Sequence, residues 1–200
     1  EEAKAAGLQP LLGLEMEIYK DGNPFNLRLL ALDSHGYRNL MKISTLKMMN
    51  RQNWEDFQHL FKGLALIVPI FEGVDQLDLG LDFYVGVFPD TPRQALTRPV
   101  LPLHTVRYFE QGDLETLQML RAIRDNISLR EVGHLSSHEF LLAPASLEEA
   151  FAENFPESLT NLEKLVAGVH YEINTDLKLP RFNPERSAVE ELRELAEAGL

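Results

Sequence analysis

"LLGLEMEIYKDGNPFNLRLLAL", residues 11–32, predicts two successive strands joined by a turn. In the first half, three apolar residues alternate with Glu15 and Glu17, which is the two-residue period of a strand with one buried face. The Asp-Gly-Asn-Pro stretch at 21–24 is typical of a turn. A second run rich in leucine follows it. The chain is therefore expected to begin with strands rather than with a helical bundle.

Further along the chain, strand-like and helix-like stretches alternate. The predicted strands span residues 11–19, 25–32, 64–71, 83–88 and 100–106, and the predicted helices span 37–49, the segment after Asp113, the segment after the capping box at 146–149, 156–168 and 187–199. The strand at 64–71 is continuously apolar, which is typical of strands buried on both faces in a parallel sheet. Because strands and helices alternate, the sequence predicts the α/β class.

The composition allows one folded domain and excludes several kinds of chemistry. The 200 residues are 44% hydrophobic, which is enough for a sizeable core. No apolar run reaches the roughly 20 residues that a membrane helix needs. The chain has no cysteine, which excludes disulfides, thiolate catalysis and cysteine-ligated zinc. A cytoplasmic location is expected.

The net charge argues against direct binding to nucleic acid by this chain. Nineteen basic residues face 31 acidic ones, which gives a charge of −12. Affinity for the phosphate backbone comes mainly from lysine and arginine. The locally basic stretch at 38–51 is more typical of the solvated face of an amphipathic helix.

The stretch "PVLPLHTVRY", residues 99–108, ends in polar side chains where α/β enzymes often place their functional groups. His104, Thr105 and Arg107 are an unusual set for such a place. His104 alone does not make a zinc site, because three or four ligands must converge on the ion. Two interpretations of this stretch remain open: it is an active site, or it is the remnant of one.

Two other groups of residues could bind a metal. Glu15 and Glu17 lie on the same side of one strand, so they could form a hard-metal site or an acid/base pair. The alternative is that both are solvated glutamates on a half-exposed strand. His134 and His138 have a spacing that would suit a metal on a helix, but the glycine and serines beside them favour a loop.

Several stretches together carry a resemblance to a known family. They are "AKAAGLQPLLGLEMEIY" (3–19), "LRLLALDSHGYRNLMKIS" (27–44), "PVLPLHTVRYFEQGD" (99–113), "FLLAPASLEEAFAENFPESLTNLEKLV" (140–166) and "LPRF" (179–182), the last followed by "ELRELAEAGL" (191–200). In order and approximate spacing they resemble the polymerase-and-histidinol-phosphatase (PHP) domain of bacterial replicative DNA polymerase III α subunits, the C-family polymerases. They are most similar to the Gram-positive versions.

The resemblance implies a fold and a division of the chain. The fold would be an incomplete, distorted (β/α)7 barrel of the TIM-like PHP type, whose strand ends carry up to three metals in metal-binding members. Residues 1–182 would be the PHP domain without its first strands, and residues 183–200 a linker and the first helix of the polymerase core. The chain would be a fragment, and the open edge of its sheet could mediate association.

The resemblance also implies which positions would bind metal. Glu15 matches a glutamate ligand of the family and is kept. Asn26, Thr105 and Arg107 occupy places where metal-binding members carry histidine, aspartate and histidine. An arginine stays protonated and repels cations, so we expect no catalytic residue and no metal in this chain. We also expect Arg107 to form a buried ion pair with Glu15.

Three functions follow as expectations. In the first, the chain is a structural module of a DNA polymerase that contacts the polymerase core and thumb of the same chain, as well as replisome subunits. DNA and the Mg²⁺ used in synthesis would then bind to the parent polymerase and not to this acidic fragment. In the second, the chain is a metal-dependent 3′–5′ exonuclease or pyrophosphatase. In the third, it is a separate binding domain unrelated to polymerases.

Overall fold

The computed structural model describes residues 6–133, 139–171 and 187–199. The strands are β1 (Gly13–Lys20), β2 (Asn23–Ala31), β3 (Leu64–Pro69), β4 (Tyr84–Val87) and β5 (Val100–Pro102), and the helices are α1 (Ser34–Met48), α2 (Trp54–Phe57), α3 (Leu114–Asp125), α4 (Pro144–Ala152), α5 (Pro156–Ala167) and α6 (Ala188–Glu197). The five strands form one sheet in the order β1-β2-β3-β4-β5. The pairs β1–β2 and β2–β3 are antiparallel, whereas β3–β4 and β4–β5 are parallel. The predicted α/β class is confirmed.

A two-residue turn sets the register of the β1–β2 hairpin. Asp21 and Gly22 have φ angles of 51° and 79°, which is the left-handed backbone that a tight hairpin turn requires. Asp-Gly is a preferred pair for such a turn because glycine adopts positive φ without steric cost. The register places Glu15 opposite Arg28 and Glu17 opposite Asn26.

One face of the sheet is covered by helices and carries the main core. Alternate residues of β1 and β2 point to this face, where they pack against side chains of α1, α2, α4 and the segments that join them. The buried residues that represent this core are Met16, Ile18, Phe25, Leu27, Leu29, Leu40, Ile43, Trp54, Phe57, Phe151 and Phe155. This face, which we call the helix face, contains most of the buried apolar side chains of the described residues.

The opposite face, which we call the cleft face, has a smaller apolar cluster. Its buried members come from β3, from β5 and the residue after it, and from α5: Ala65, Ile67, Leu101, Leu103 and Leu165. Glu15 and Arg28 lie beside this cluster, because the strand period sends them to the side away from the helix face. Charged side chains therefore share the cleft face with a small core.

Several predicted boundaries and one predicted cap differ from the structure. The helix predicted from residue 37 begins at Ser34, and the strand predicted to end at residue 71 ends at Pro69. Helix α4 begins at Pro144, so Ser146 lies inside the helix, because proline fixes a helical φ and is favoured in the first turn. The carboxylate of Asp113 accepts a hydrogen bond from Glu110 N and makes no capping bond to α3. Strand β5 ends at Pro102 rather than at residue 106, because its partner β4 ends at Val87.

Other predictions are confirmed or lie outside the described residues. The capping box at the start of α6 is confirmed, since Ser187 Oγ accepts a hydrogen bond from Glu190 N. The predicted linker at 178–184 and the pair His134 and His138 fall outside the described residues. Within the described ranges, no helix combines the length and the apolar composition needed to cross a bilayer.

Candidate functional site

Two adjoining cavities open at the ends of the strands on the cleft face. The first has a volume of about 400 Å³ and is lined by Glu15, Arg28 and Ile67 among others. The second, of about 480 Å³, extends past Phe88, Asp90, Glu139 and Phe140. His104 and Thr105 line both cavities. Together these cavities form what we call the cleft.

Arg28 is the partner of Glu15 on the floor of the cleft. Arg28 Nε lies 3.2 Å from Glu15 Oε2, with side-chain exposures of 21% for the arginine and 60% for the glutamate. The contact is an ion pair without hydrogen-bond alignment at Nε. Arg28 Nη2 also donates to Thr105 Oγ1 at 3.5 Å, and the guanidinium lies 5.8 Å from the centre of the Phe88 ring. Arg28 thus connects β1, β2 and the segments after β4 and β5.

Arg107 has a different partner from the one predicted. Its Nε lies 2.7 Å from Glu139 Oε2, and its backbone N–H donates to the carbonyl of Glu139 at 2.7 Å. The side chain of Arg107 is 46% exposed, so it is not buried. The predicted buried pair of Glu15 and Arg107 is replaced by two separate ion pairs. The physical reason is that hairpin register fixes Arg28 opposite Glu15, while backbone pairing fixes Arg107 beside Glu139.

The remaining predicted residues have local roles in the structure. His104 Nε2 lies 2.7 Å from the carbonyl oxygen of Phe140; since a carbonyl can only accept, Nε2 carries the proton and a neutral ring leaves Nδ1 as an acceptor. Asn26 is exposed and lies opposite Glu17. Glu17 Oε1 accepts a hydrogen bond from the Tyr19 hydroxyl at 3.3 Å. The structure therefore brings Glu15 and Thr105 together through Arg28 and leaves Asn26 and Arg107 in separate contacts.

The residues of the cleft do not fit a cluster of divalent metals. Across the described ranges, no group of three or more histidine, aspartate or glutamate side chains is arranged to hold a metal ion. Such a cluster needs several anionic or imidazole ligands close together. In the cleft the carboxylate of Glu15 faces a guanidinium, which cannot coordinate a cation.

The partner of Glu15, Arg28, was not predicted from the sequence. The Asp-Gly turn that fixes its position could have identified it. The Asp-Gly pair at 21–22 predicts a two-residue hairpin loop that joins Lys20 to Asn23. Counting back from that loop places Arg28 opposite Glu15, as observed. Treating residues 21–24 together as a turn left the register undetermined.

Comparison with known proteins gives the relatives of the chain. Residues 1–81 match the PHP domain family. The chain is 43% identical over 196 residues to DNA polymerase III subunit alpha of Streptococcus pyogenes serotype M1, an alignment that covers 97% of this chain and 19% of that relative. The same subunit from Streptococcus pyogenes and from a serotype M3 strain gives the same identity and coverage.

The chain thus spans about a fifth of the length of the curated relatives that it matches. The resemblance to the PHP domain of DNA polymerase III α subunits, drawn from five separate stretches, is confirmed by these matches. The hypothesis of a domain unrelated to polymerases is wrong, because the identity extends across nearly the whole chain. The chain is similar over nearly its whole length to part of DNA polymerase III subunit alpha, and residues 1–81 match the PHP domain family.

Proposed function

We propose that this chain is the PHP region of a DNA polymerase III alpha subunit and that it acts as a structural module without phosphoesterase activity. The whole subunit would carry out template-directed DNA synthesis, with Mg²⁺ bound in its polymerase core. The observation that carries this proposal is the ion pair of Glu15 and Arg28 on the floor of the cleft. It neutralises the one ligand position that the chain shares with metal-binding PHP domains.

The proposed fold is an incomplete (β/α)7 barrel over residues 1–182, followed by a linker and the first helix of the polymerase core at 183–200. The parallel pairing of β3, β4 and β5 supports a barrel, since the strands of such barrels are parallel. The capped helix α6 supports a separate element after the linker.

The surfaces of the module support contacts with protein rather than with DNA. The net charge of −12 disfavours direct contact with phosphates. We propose that the module packs against the polymerase core and thumb of the same chain and contacts replisome subunits, and that DNA is bound elsewhere in the parent. Such a subunit would work in the cytoplasm.

Metal analysis of the full-length subunit that contains this chain tests the inactive module directly. The protein is purified without chelators, dialysed against metal-free buffer, and analysed for zinc and manganese by mass spectrometry. We expect less than one ion per PHP region, because the cleft lacks a converging set of ligands. Stoichiometric zinc or manganese that is lost on changing Glu15→Gln would contradict the proposal.

An activity assay distinguishes DNA synthesis by the polymerase core from nuclease activity in the cleft. The same preparation is given a primer with a mismatched 3′ end, with and without Mn²⁺, and separately a matched primer with nucleotides. We expect extension of the matched primer and no 3′–5′ removal of the mismatch. Removal of the mismatch that is abolished by Glu15→Gln would favour a metal-dependent exonuclease in the cleft.

A further inference from the structure

Arg28 differs from the other cleft residues because it holds a permanent positive charge directly beside a carboxylate. We infer that Arg28 is the residue that excludes divalent cations from the floor of the cleft. This inference rests on the proposed PHP assignment, because it concerns the position that binds metal in related domains. It goes further, since it assigns the exclusion to a residue other than the three replaced ligands.

The position of Arg28 is fixed by backbone and side-chain contacts. The hairpin register places it opposite Glu15 on one side and opposite Ile67 of β3 on the other. Its guanidinium meets Glu15 Oε2, Thr105 Oγ1 and the face of Phe88. With these three contacts the side chain cannot swing out of the cleft without losing all of them. The positive charge is therefore a fixed part of the cleft floor.

The distances make the guanidinium incompatible with a metal ion at the same carboxylate. Divalent ions bind carboxylate oxygens at about 2.0–2.6 Å, and Arg28 Nε already lies 3.2 Å from Glu15 Oε2. A cation there would sit within a few ångströms of a second cation. Arg28 is 21% exposed and Glu15 is 60% exposed, so solvent weakens this repulsion on the side of the carboxylate but less on the side of the arginine.

The other replaced positions do not supply this repulsion. Asn26 and Thr105 are neutral, and Arg107 pairs with Glu139 and is not among the residues that line the cavity next to Glu15. Among the described residues that line the cavity next to Glu15, Arg28 is the single lysine or arginine. If the lost ligands were restored and Arg28 were kept, the guanidinium would still repel a divalent cation at Glu15.

Restoring a family ligand tests the inference in the full-length subunit. One variant carries Thr105→Asp, at a position that lines the same cavity as Glu15 and His104, and a second carries this change together with Arg28→Met. Each is titrated with Co²⁺ alone, and binding is followed by the visible absorption that histidine-ligated cobalt gives. We expect the variant with Arg28→Met to bind Co²⁺ at least tenfold more tightly than the variant that retains Arg28.

A matched control removes a comparable arginine elsewhere. Arg93 also pairs with a carboxylate, Glu157, at 2.7 Å and lies 5.3 Å from the centre of an aromatic ring, that of Phe155. Adding Arg93→Met to the restored ligand should leave Co²⁺ binding unchanged. Arg28→Gln in place of Arg28→Met gives a second neutral variant, and circular dichroism checks that each is folded.

The outcomes distinguish this inference from the proposed function. Equal Co²⁺ affinity with and without Arg28, whether tight or undetectable, would overturn the role of Arg28 and leave the unmodified module metal-free. A gain of tenfold or more that follows both Arg28→Met and Arg28→Gln, but not Arg93→Met, supports the inference. Tight metal binding by the unmodified protein would overturn the proposed function itself and the inference with it.

Discussion

The two faces of the sheet are held together by different kinds of interaction. On the helix face, large apolar side chains from both strands and helices fill one continuous core. On the cleft face, a small apolar cluster lies next to charged and polar side chains that meet in pairs. A metal-binding cleft would need unpaired carboxylates and imidazoles, whereas here the charges neutralise each other. The comparison indicates that stability comes mainly from the helix face, whereas the cleft face is lined by paired charges.

The largest effect is expected from emptying the helix face. Phe57 is fully buried, so Phe57→Ala should lower the free energy of unfolding by about 3–5 kcal/mol, through lost burial and the cavity left behind. Phe109 is 77% exposed, and Phe109→Ala should change the stability by less than about 0.5 kcal/mol. Chemical denaturation of both variants is the measurement. A similar loss in the two would show that the helix face does not dominate.

A smaller loss of stability is expected from a substitution at the contact between α1 and the residue before β3. A Cβ on Gly36 would lie 1.8 Å from the carbonyl oxygen of Gly63, which is backbone and cannot move aside easily. Gly36→Ala should therefore destabilise the protein by about 1–3 kcal/mol, the usual cost of overpacking. Gly112 has no atom within 4 Å of such a Cβ and serves as the control. If Gly36→Ala unfolds at the same denaturant concentration as Gly112→Ala, the close approach is not real.

The helix face could be predicted from the sequence better than the cleft could. Alternation in residues 11–32 and the apolar run at 64–69 place their side chains correctly, because a two-residue period and continuous burial are local properties. Phe71, predicted in the same strand, lies beyond its end and is exposed. The strand after residue 99 was predicted too long, because its end depends on pairing with β4 rather than on its own apolar residues. The burial of strand side chains can thus be predicted from the local pattern of apolar residues.

The ion pairs of the cleft depend on register and on contacts between distant segments. Glu15 meets Arg28 because of a two-residue turn, and Arg107 meets Glu139 because residues 107–108 pair with 139–141. The first could have been derived from the Asp-Gly turn. The second joins segments separated by some thirty residues, and no local pattern indicates it. The sequence therefore shows which cleft residues are charged, but it does not show which of them form ion pairs.

A modest coupling is expected between the two charges on the cleft floor. In a cycle of Glu15→Gln, Arg28→Met and the double variant, the coupling should be about 0.2–1 kcal/mol, because Glu15 is more than half exposed and solvent weakens the pair. Raising the salt concentration should reduce it. Thermal unfolding at low and high salt measures both quantities. Strict additivity of the single changes would show that the pair makes no net contribution.

The surface pair of Arg93 and Glu157 sharpens this test. Its two side chains are each about half exposed, and Arg93 donates a hydrogen bond to Glu157, so the two pairs differ in the burial of the arginine and in the length of the contact. The same cycle with Arg93→Met and Glu157→Gln should give a coupling no larger than that of the cleft pair. A larger value would mean that distance, shorter here at 2.7 Å, outweighs the burial of the arginine.

The smallest effect is expected in α6, where Ser187 and Glu190 form a capping box at the start of the helix. Hydrogen bonds from the Ser187 hydroxyl and then from its backbone N–H lower the pKa of Glu190. Because the pKa is lower in the folded helix than in the unfolded chain, this stabilisation is present above the usual glutamate pKa and is lost as the pH falls through the folded value. Ser187→Ala should move the pKa of Glu190 back toward its usual value, as followed by carboxyl ¹³C NMR, whereas Ser187→Thr keeps a hydroxyl and should not. An unchanged pKa in Ser187→Ala would mean that the hydroxyl does not hold the carboxylate and that α6 depends on other contacts.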